Sequence, residues 1–209
     1  QTSANLTISN AEKYWNNAVT IVGNSALYQA YLDYFDDLAR NVEDLDYYTT
    51  VGAGDVKAYF FPRAGTSAST DTVYNTLGNV DCSGGTTLKI GMWYFGRTAI
   101  AQRLASLAGQ GCKVDVVYTE MLPDPLAALQ GRTNVRLRQI DDGTYVIHSK
   151  YLLVDGGYAG VDRKVVFTGS PNYSNAALRT NDETMLRIYS DAIHDQYAAN
   201  FAQVFAAGT

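Results

Sequence analysis

The stretch Leu88-Lys89-Ile90-Gly91-Met92-Trp93-Tyr94-Phe95 is apolar, rich in large side chains, preceded by Ser83-Gly84-Gly85 and followed by Gly96. Such a run between glycines predicts a buried β-strand. From Thr98, which serves as N-cap, apolar residues return at Ile100, Leu104, Leu107 and Ala108 with helical period until Gly109 or Gly111 ends the helix. A second strand follows over Val114 to Tyr118. Strand, helix and strand with short joints make a βαβ unit, which predicts an α/β fold with a parallel sheet covered on both faces. Working outward, the pattern predicts a short helix over 124–130 and strands over 135–137, 144–154, 164–168 and 184–189. A closing helix over 192–206 carries Ile193, Tyr197, Phe201 and Val204 on one face.

Composition narrows the function. With 209 residues, 46% hydrophobic and 18% charged, the chain has the balance of an ordinary globular domain. Its net charge of −5 and lack of a basic stripe argue against avid non-specific nucleic-acid binding. No apolar run approaches the roughly 18 residues needed to cross a bilayer. Cys82 and Cys112 are the only cysteines and His148 and His194 the only histidines, too few for a zinc site, so no metal is expected. The two cysteines flank the strand-helix unit and read as two buried thiols or one structural disulfide. The disulfide is favoured by a composition rich in Tyr, Asn, Thr and Gly, which suits a secreted protein. The sequence opens without a basic-then-apolar leader, which implies that a leader, or more than a leader, was removed.

The closing helix has a twin. Leu27, Tyr31, Phe35 and Leu38 match Ile193, Tyr197, Phe201 and Val204 at a constant shift of 166, and Ser3-Ala4-Asn5-Leu6-Thr7 matches Ser170-Pro171-Asn172-Tyr173-Ser174 at a shift of 167. Two coupled matches predict an internal repeat. Residues 1–50 read as the tail of a first repeat and residues 51–209 as a complete second one.

Chemistry concentrates in His148-Ser149-Lys150-Tyr151-Leu152-Leu153-Val154-Asp155, an H-x-K followed by a spaced Asp, and in Gly169-Ser170-Pro171-Asn172. Alternation along a strand puts His148 and Lys150 on one face. An imidazole beside an ammonium suits phosphate, the cation holding a dianionic transition state and the ring attacking phosphorus or protonating a leaving oxygen. Gly169 lets the backbone turn close to a ligand, and Ser170 and Asn172 offer donors at a strand-to-helix junction. Asp155 lies an odd number of positions from Lys150 and reads as structural.

Together these motifs resemble the phospholipase D superfamily, whose members carry the HKD motif twice in one chain or once per subunit of a homodimer. The resemblance is tight over residues 148–183, looser over the βαβ unit and terminal helix, and extends to the opening TSANLT and YWNNAV. It implies an α/β/α sandwich with a mostly parallel, mixed sheet, in which two motifs meet across a pseudo-twofold axis. It also implies metal-independent phosphodiester cleavage through a phosphohistidine, with no cofactor. In the family a carboxylate after GSxN orients the motif's histidine, a position held here by Glu183. The first repeat has Asn16 at the matching place, so the two half-sites should have unequal pKa values. The chemistry needs two imidazoles. His194 aligns with Tyr28 on the closing helix and reads as a surface or packing residue, so the second H-x-K is expected from another polypeptide. We expect a nicked two-chain enzyme, its N-terminal half carrying the first motif and Ser3 and Asn5 closing that motif, with a homodimer as the rival. The resemblance makes the first motif's histidine the nucleophile and His148 the general acid.

Trp93, Tyr94 and Phe95 end a strand where such sheets border a ligand crevice, and each reads equally as core. Tyr173 and Trp15 are further rim candidates. Arg97, Arg163 and Lys164 read as solvated charge before they read as substrate contacts, and residues 156–160 as a lid or a plain loop. An aromatic-walled, acidic protein points to a phospholipid or glycerophosphodiester substrate, with peripheral membrane contact possible and no nucleic acid expected. A nuclease-branch phosphodiesterase and a non-catalytic phosphate- or lipid-binding module are the alternatives.

Overall fold

A computed structural model describes residues 1–41 and 43–209. In chain order the elements are α1 Ile8–Glu12, β1 Tyr14–Trp15, α2 Ser25–Ala39, β2 Thr49–Ala53, β3 Val56–Phe60, a 3-10 turn Ala68–Thr70, α3 Thr72–Leu77, β4 Val80–Asp81, β5 Thr87–Phe95, α4 Thr98–Gly109, β6 Lys113–Met121, α5 Pro123–Leu129, β7 Val135–Gln139, β8 Val146–Ile147, β9 Lys150–Tyr158, β10 Val161–Gly169, α6 Asn175–Arg179, β11 Thr184–Tyr189 and α7 Asp191–Ala207.

The βαβ unit forms as its periodicity dictates: β5 and β6 pair in parallel with α4 between them, and β7 extends the parallel ladder. The rest of the sheet turns antiparallel. β9 and β10 form a hairpin through a two-residue turn, which can only pair antiparallel, and β9 slots between β10 and β5 to give the order β2-β3-β11-β10-β9-β5-β6-β7. The sheet is therefore mixed. Alternation along β9 feeds both sides of it: Leu152 and Val154 enter one core with Val73, Leu77, Ile100 and Leu104 of α3 and α4, while Tyr151 and Leu153 enter another with residues of α2 and α7. Each face of the sheet thus carries its own helical layer, the α/β/α sandwich.

The strand expected over 144–154 is split. β8 stops at Ile147 and β9 starts at Lys150, because the amides of His148 and Ser149 are drawn out of the ladder to the Trp15 carbonyl, both at 2.9 Å. Residues 156–160 are not a lid. Gly156, at φ +130°, and Gly157 lie inside β9 at the end remote from His148, and a Cβ on Gly156 would come within 2.6 Å of Thr86 Oγ1. Cys82 and Cys112 stand as a bonded pair, Cα atoms 4.8 Å apart, tying the segment before β5 to the start of β6.

Residues 1–39 and 168–207 build the same local structures at the shifts noted above. Thr7 caps α1 on the Asn10 amide, and Ser174 caps α6 on the Ala177 amide. The Ser3 amide donates to the Asn17 carbonyl at 3.0 Å and the Asn17 amide to Ser3 Oγ at 3.0 Å. The Ser170 amide donates to the Thr184 carbonyl at 3.0 Å and the Thr184 amide to Ser170 Oγ at 3.1 Å. Asn24 and Ser190 cap α2 and α7. The shared apolar face differs in burial: Phe201 is 2% exposed, but Phe35 is 64% and Leu38 41% exposed, and α2 buries Leu27 and Tyr34 instead. α7 packs over β10, β9, β5 and β6, whereas α2 meets chiefly β2, with Tyr34 against Phe60 of β3. His194 is a buried packing residue of α7.

Candidate active site

The site forms where β8 hands over to β9, beside the C-terminal end of β5. His148 and Lys150 are both buried, at 4% and 5% exposure, and on one side of the chain as the two-residue spacing requires. Lys150 Nζ donates to the His148 carbonyl at 2.6 Å and lies 3.1 Å from ring Nδ1 and 3.4 Å from Nε2. The ring is gripped from the N-terminal segment. Nδ1 stands 3.0 Å from the Ser3 carbonyl oxygen and 3.2 Å from Asn16 Oδ1. β1 makes this possible by pairing in parallel with β8, Tyr14 opposite Val146 and Trp15 opposite Ile147, which carries Asn16 up to the imidazole.

Aromatic rings wall the pair. Trp93 lies 4.6 Å from the imidazole centroid and 5.1 Å from Lys150 Nζ, with 37% of its surface exposed. Tyr14 stacks on the imidazole at 5.8 Å. Burial pulls Lys150 down to about 7, opposed by the Glu183 carboxylate. Burial, and then the Lys150 charge, pull His148 down to about 4, against the Ser3 carbonyl that favours the protonated ring. Glu183 is raised by burial, with Ser170, Asn181 and Lys150 pulling it back.

The predicted residues separate into those the fold gathers and those it does not. His148, Lys150, Trp93 and Ser3 are in contact or one contact apart, and Glu183, hydrogen-bonded to Ser170, acts on Lys150 through its charge. Asn172 has a buried Oδ1 with no hydrogen-bond partner among the described residues. Asn5 is exposed; its amide is held by Asn10 Oδ1 at 3.2 Å, and it makes no contact with His148 among the described residues. Glu183 does not orient His148 as expected. That place belongs to Asn16, which the pairing of β1 with β8 carries to the ring. Gly169 serves close packing against β11 rather than a ligand, since a Cβ there would collide with the Thr184 carbonyl and sit 2.8 Å from Met185 Cα. Asp155 is exposed on β9 opposite Lys164. Tyr173 and Phe95 are core residues, edge to face at 5.1 Å, and Trp15 packs into the core that α2 and α7 cover. Arg97 is bound to buried Asp71 at 2.9 Å, Arg163 stacks on Tyr189 at 4.4 Å and Lys164 pairs with Asp195 at 2.6 Å, so none of the three reaches the imidazole. Sequence reasoning missed Tyr14 and gave Asn16 no role. Asn16 stood at the shift that matches Glu183, and that was the available signal.

The family model described as cardiolipin synthase, PLD-like domain matches residues 82–205, which include His148, Lys150, Ser170, Asn172 and Glu183. Among solved structures the chain is similar to Nuc, a phospholipase D family member from Salmonella typhimurium. Identity is 22% over 74% of this chain and 95% of that one, with a TM-score of 0.56. It is similar to NucT from Helicobacter pylori at 20% identity over 74% and 98%, TM-score 0.55. It is also similar to phosphatidylserine synthase from Haemophilus influenzae at 16% identity over 92% of this chain and 48% of that one, TM-score 0.51. At these identities the likeness is one of fold. No curated protein matches the chain. The family match across the whole βαβ unit, both motifs and most of the closing helix, on the fold just described, places the chain in the phospholipase D superfamily.

Proposed function

We propose that the chain is one half-site and most of the scaffold of a metal-independent phosphodiesterase that cleaves a phospholipid-type diester through a phosphohistidine. The observation that carries this reading is the buried His148 and Lys150 pair, with the ring's Nδ1 met by two oxygens and Lys150 Nζ within 3.4 Å of both ring nitrogens. Lys150 supplies charge to the non-bridging phosphate oxygens. A phosphohistidine route needs a second imidazole, and His194 is buried in α7, remote from this pair. The second H-x-K therefore lies outside residues 1–209.

Several features support a heterologous half over a homodimer. Residues 1–39 repeat the geometry that follows the H-x-K strand in residues 168–207, so they read as the tail of a first repeat. Asn16 reaches His148 from the first tail; at the matching place in the second, Glu183 is set to reach the incoming imidazole. The unpartnered Asn172 Oδ1 lies on the loop that incoming half would meet. Exposed Leu6 and Ile8, just beyond Ser3, give the rim an apolar edge suited to a lipid and to peripheral membrane contact. The Cys82–Cys112 pair fits a secreted protein in an oxidising compartment.

The test is headgroup release from phosphatidylcholine and phosphatidylethanolamine vesicles and from glycerophosphodiesters, beside plasmid DNA, with and without the second chain. Turnover only with both chains, lost by at least about a thousandfold in His148→Ala at unchanged circular dichroism, is the expected result. Activity of this chain alone as a dimer would overturn the heterologous arrangement. Cleavage of DNA but no lipid would overturn the substrate class.

A further inference from the structure

β3, β11 and β10 gather cations that the sequence scatters. Alternation sends Tyr59, Met185 and Phe167 of these strands into the core beneath α3 and α4. The same alternation brings Lys57, Arg187 and Arg163 to that side of the sheet, around Tyr189. Lys57 stands directly opposite Arg187 across the β3 and β11 ladder, a like-charge pairing that costs a sheet stability. Arg187 lies 4.2 Å and Arg163 4.4 Å from the Tyr189 ring centroid, and Lys57 Nζ 5.2 Å from that of Tyr59. All four residues are half-buried. Buried Phe167 and Met185 separate this cluster from Lys150, and Arg163 stands opposite Gly156 on β9, about 20 Å along the strand from Lys150.

Elsewhere the fold matches its arginines. Arg97 binds Asp71, Arg136 grips Asp115 through two bonds of 2.6 Å, and Arg179 donates to the carbonyls of Arg63, Ala64, Thr70 and Ser67. The ion pairs of the described residues involve none of Lys57, Arg163 and Arg187. Nε of Arg163 and of Arg187 is buried without a hydrogen-bond partner among the described residues. A buried donor left without an acceptor is costly and uncommon, so a missing acceptor is the economical explanation. That acceptor is an anion, because it meets two guanidiniums and an ammonium with no carboxylate paired to them. Neighbouring hydroxyls feel the uncompensated charge: burial raises Tyr158, while Asn79, Arg187 and Arg163 pull it back, and burial raises Tyr59 against Arg187. In a chain of net charge −5 such a cluster is not part of a general basic coat.

We propose that Lys57, Arg163 and Arg187, grouped around Tyr189, form an anion site apart from the His148 and Lys150 pair, which takes a phosphate-class dianion, inorganic phosphate or a soluble phosphomonoester. Guanidinium forks match the oxygens of a tetrahedral oxyanion two at a time. Lying within 4.4 Å of one ring centroid, the two guanidinium carbons are close enough for a single such anion to reach both forks. Lys57 adds the third positive charge from the neighbouring strand. The ligand is soluble rather than a lipid headgroup, because the cluster lies on the flank of the sheet and His148 at its end. A bilayer seated on these cations would not lie across the catalytic end.

The test is a titration of the protein with inorganic phosphate at constant ionic strength, followed by NMR of the arginine Nε–H groups. Saturable shifts of the Arg163 and Arg187 signals are expected, unchanged in Lys150→Met. Arg163→Gln and Arg187→Gln should each weaken binding by at least about tenfold at unchanged circular dichroism. Arg163→Lys, which keeps the charge and loses the fork, and Lys57→Gln give the same reading with smaller losses should a glutamine variant unfold. No saturable shift, or binding lost in Lys150→Met and kept in both glutamine variants, overturns the proposal. The second of these results would put the phosphate at the His148 pair and leave the proposed phosphodiesterase standing. Sedimentation with phosphatidic acid vesicles tests the source of the ligand. Vesicle binding that is lost in Arg187→Gln, with no binding of inorganic phosphate, would overturn the soluble ligand in favour of a membrane.

Discussion

Residues 1–39 and residues 168–207 are two copies of one structural plan, with the same serine clasp, the same capped short helix and the same long helix, but they serve different surroundings. The second copy is fully used: Phe201 is buried against the sheet and Ser170 holds the start of β11. The first copy is half used: α2 leaves Phe35 to solvent, while its loop puts an amide, rather than a carboxylate, on the His148 ring. Local structure follows from local sequence in both, whereas burial and charge depend on which sheet lies beneath. The lesson is that a repeat's hydrogen bonds are portable and its packing is not.

The largest effect that separates the two copies is packing. Phe201→Ala should destabilise the isolated chain by about 3–5 kcal/mol, since it empties a buried aromatic site, while Phe35→Ala should change it by less than about 0.5 kcal/mol. Urea unfolding of both variants measures this, and equal losses would mean that α2 is covered in solution. A smaller effect separates the two acceptors. Glu183→Gln removes the charge that opposes the burial of Lys150 and should lower turnover by about tenfold or more, read by headgroup release. Asn16→Asp should raise the His148 pKa by about 1–2 units, read by NMR of the ring. Unchanged turnover in Glu183→Gln would mean that the carboxylate does not support Lys150.

The smallest effect is in pH. Folding lowers the His148 pKa from 6.5 to about 4, so the unfolded chain binds this proton more readily. The stabilisation is complete above about pH 6.5 and is lost as pH falls toward 4, on the order of 2 kcal/mol. His148→Asn keeps a donor for the Ser3 carbonyl and should lose less stability between pH 7 and 4.5 in calorimetry. Parallel curves for the two proteins would show that the ring is not held neutral.

What could be read from the sequence was what short range decides. The period of residues 88–118 is local, and so is the two-residue spacing that puts His148 and Lys150 on one side. The matches of Ser3 with Ser170 and Asn5 with Asn172 needed only comparison of two short strings. What escaped depends on contacts made across the fold. His148 is held by residues 145 and 132 positions away, and no pattern around His148 points to them. Arg97 looked like free charge because Asp71, which binds it, belongs to the N-cap of α3. The antiparallel entry of β9 was hidden because parallel and antiparallel buried strands share one apolar signature. Glu183 was matched to His148 because both follow one motif's spacing, whereas the oxygens that meet the ring come from Ser3 and Asn16 in the opening segment.

The two-residue ladder of β1 on β8 ties the state of the ring to the far end of the chain. The Ser3 carbonyl and Asn16 reach His148 only because that ladder holds the opening segment against the sheet. Peeling the first residues away would strip the imidazole of both oxygens at once, so wear at the start of the chain would be felt at its chemistry.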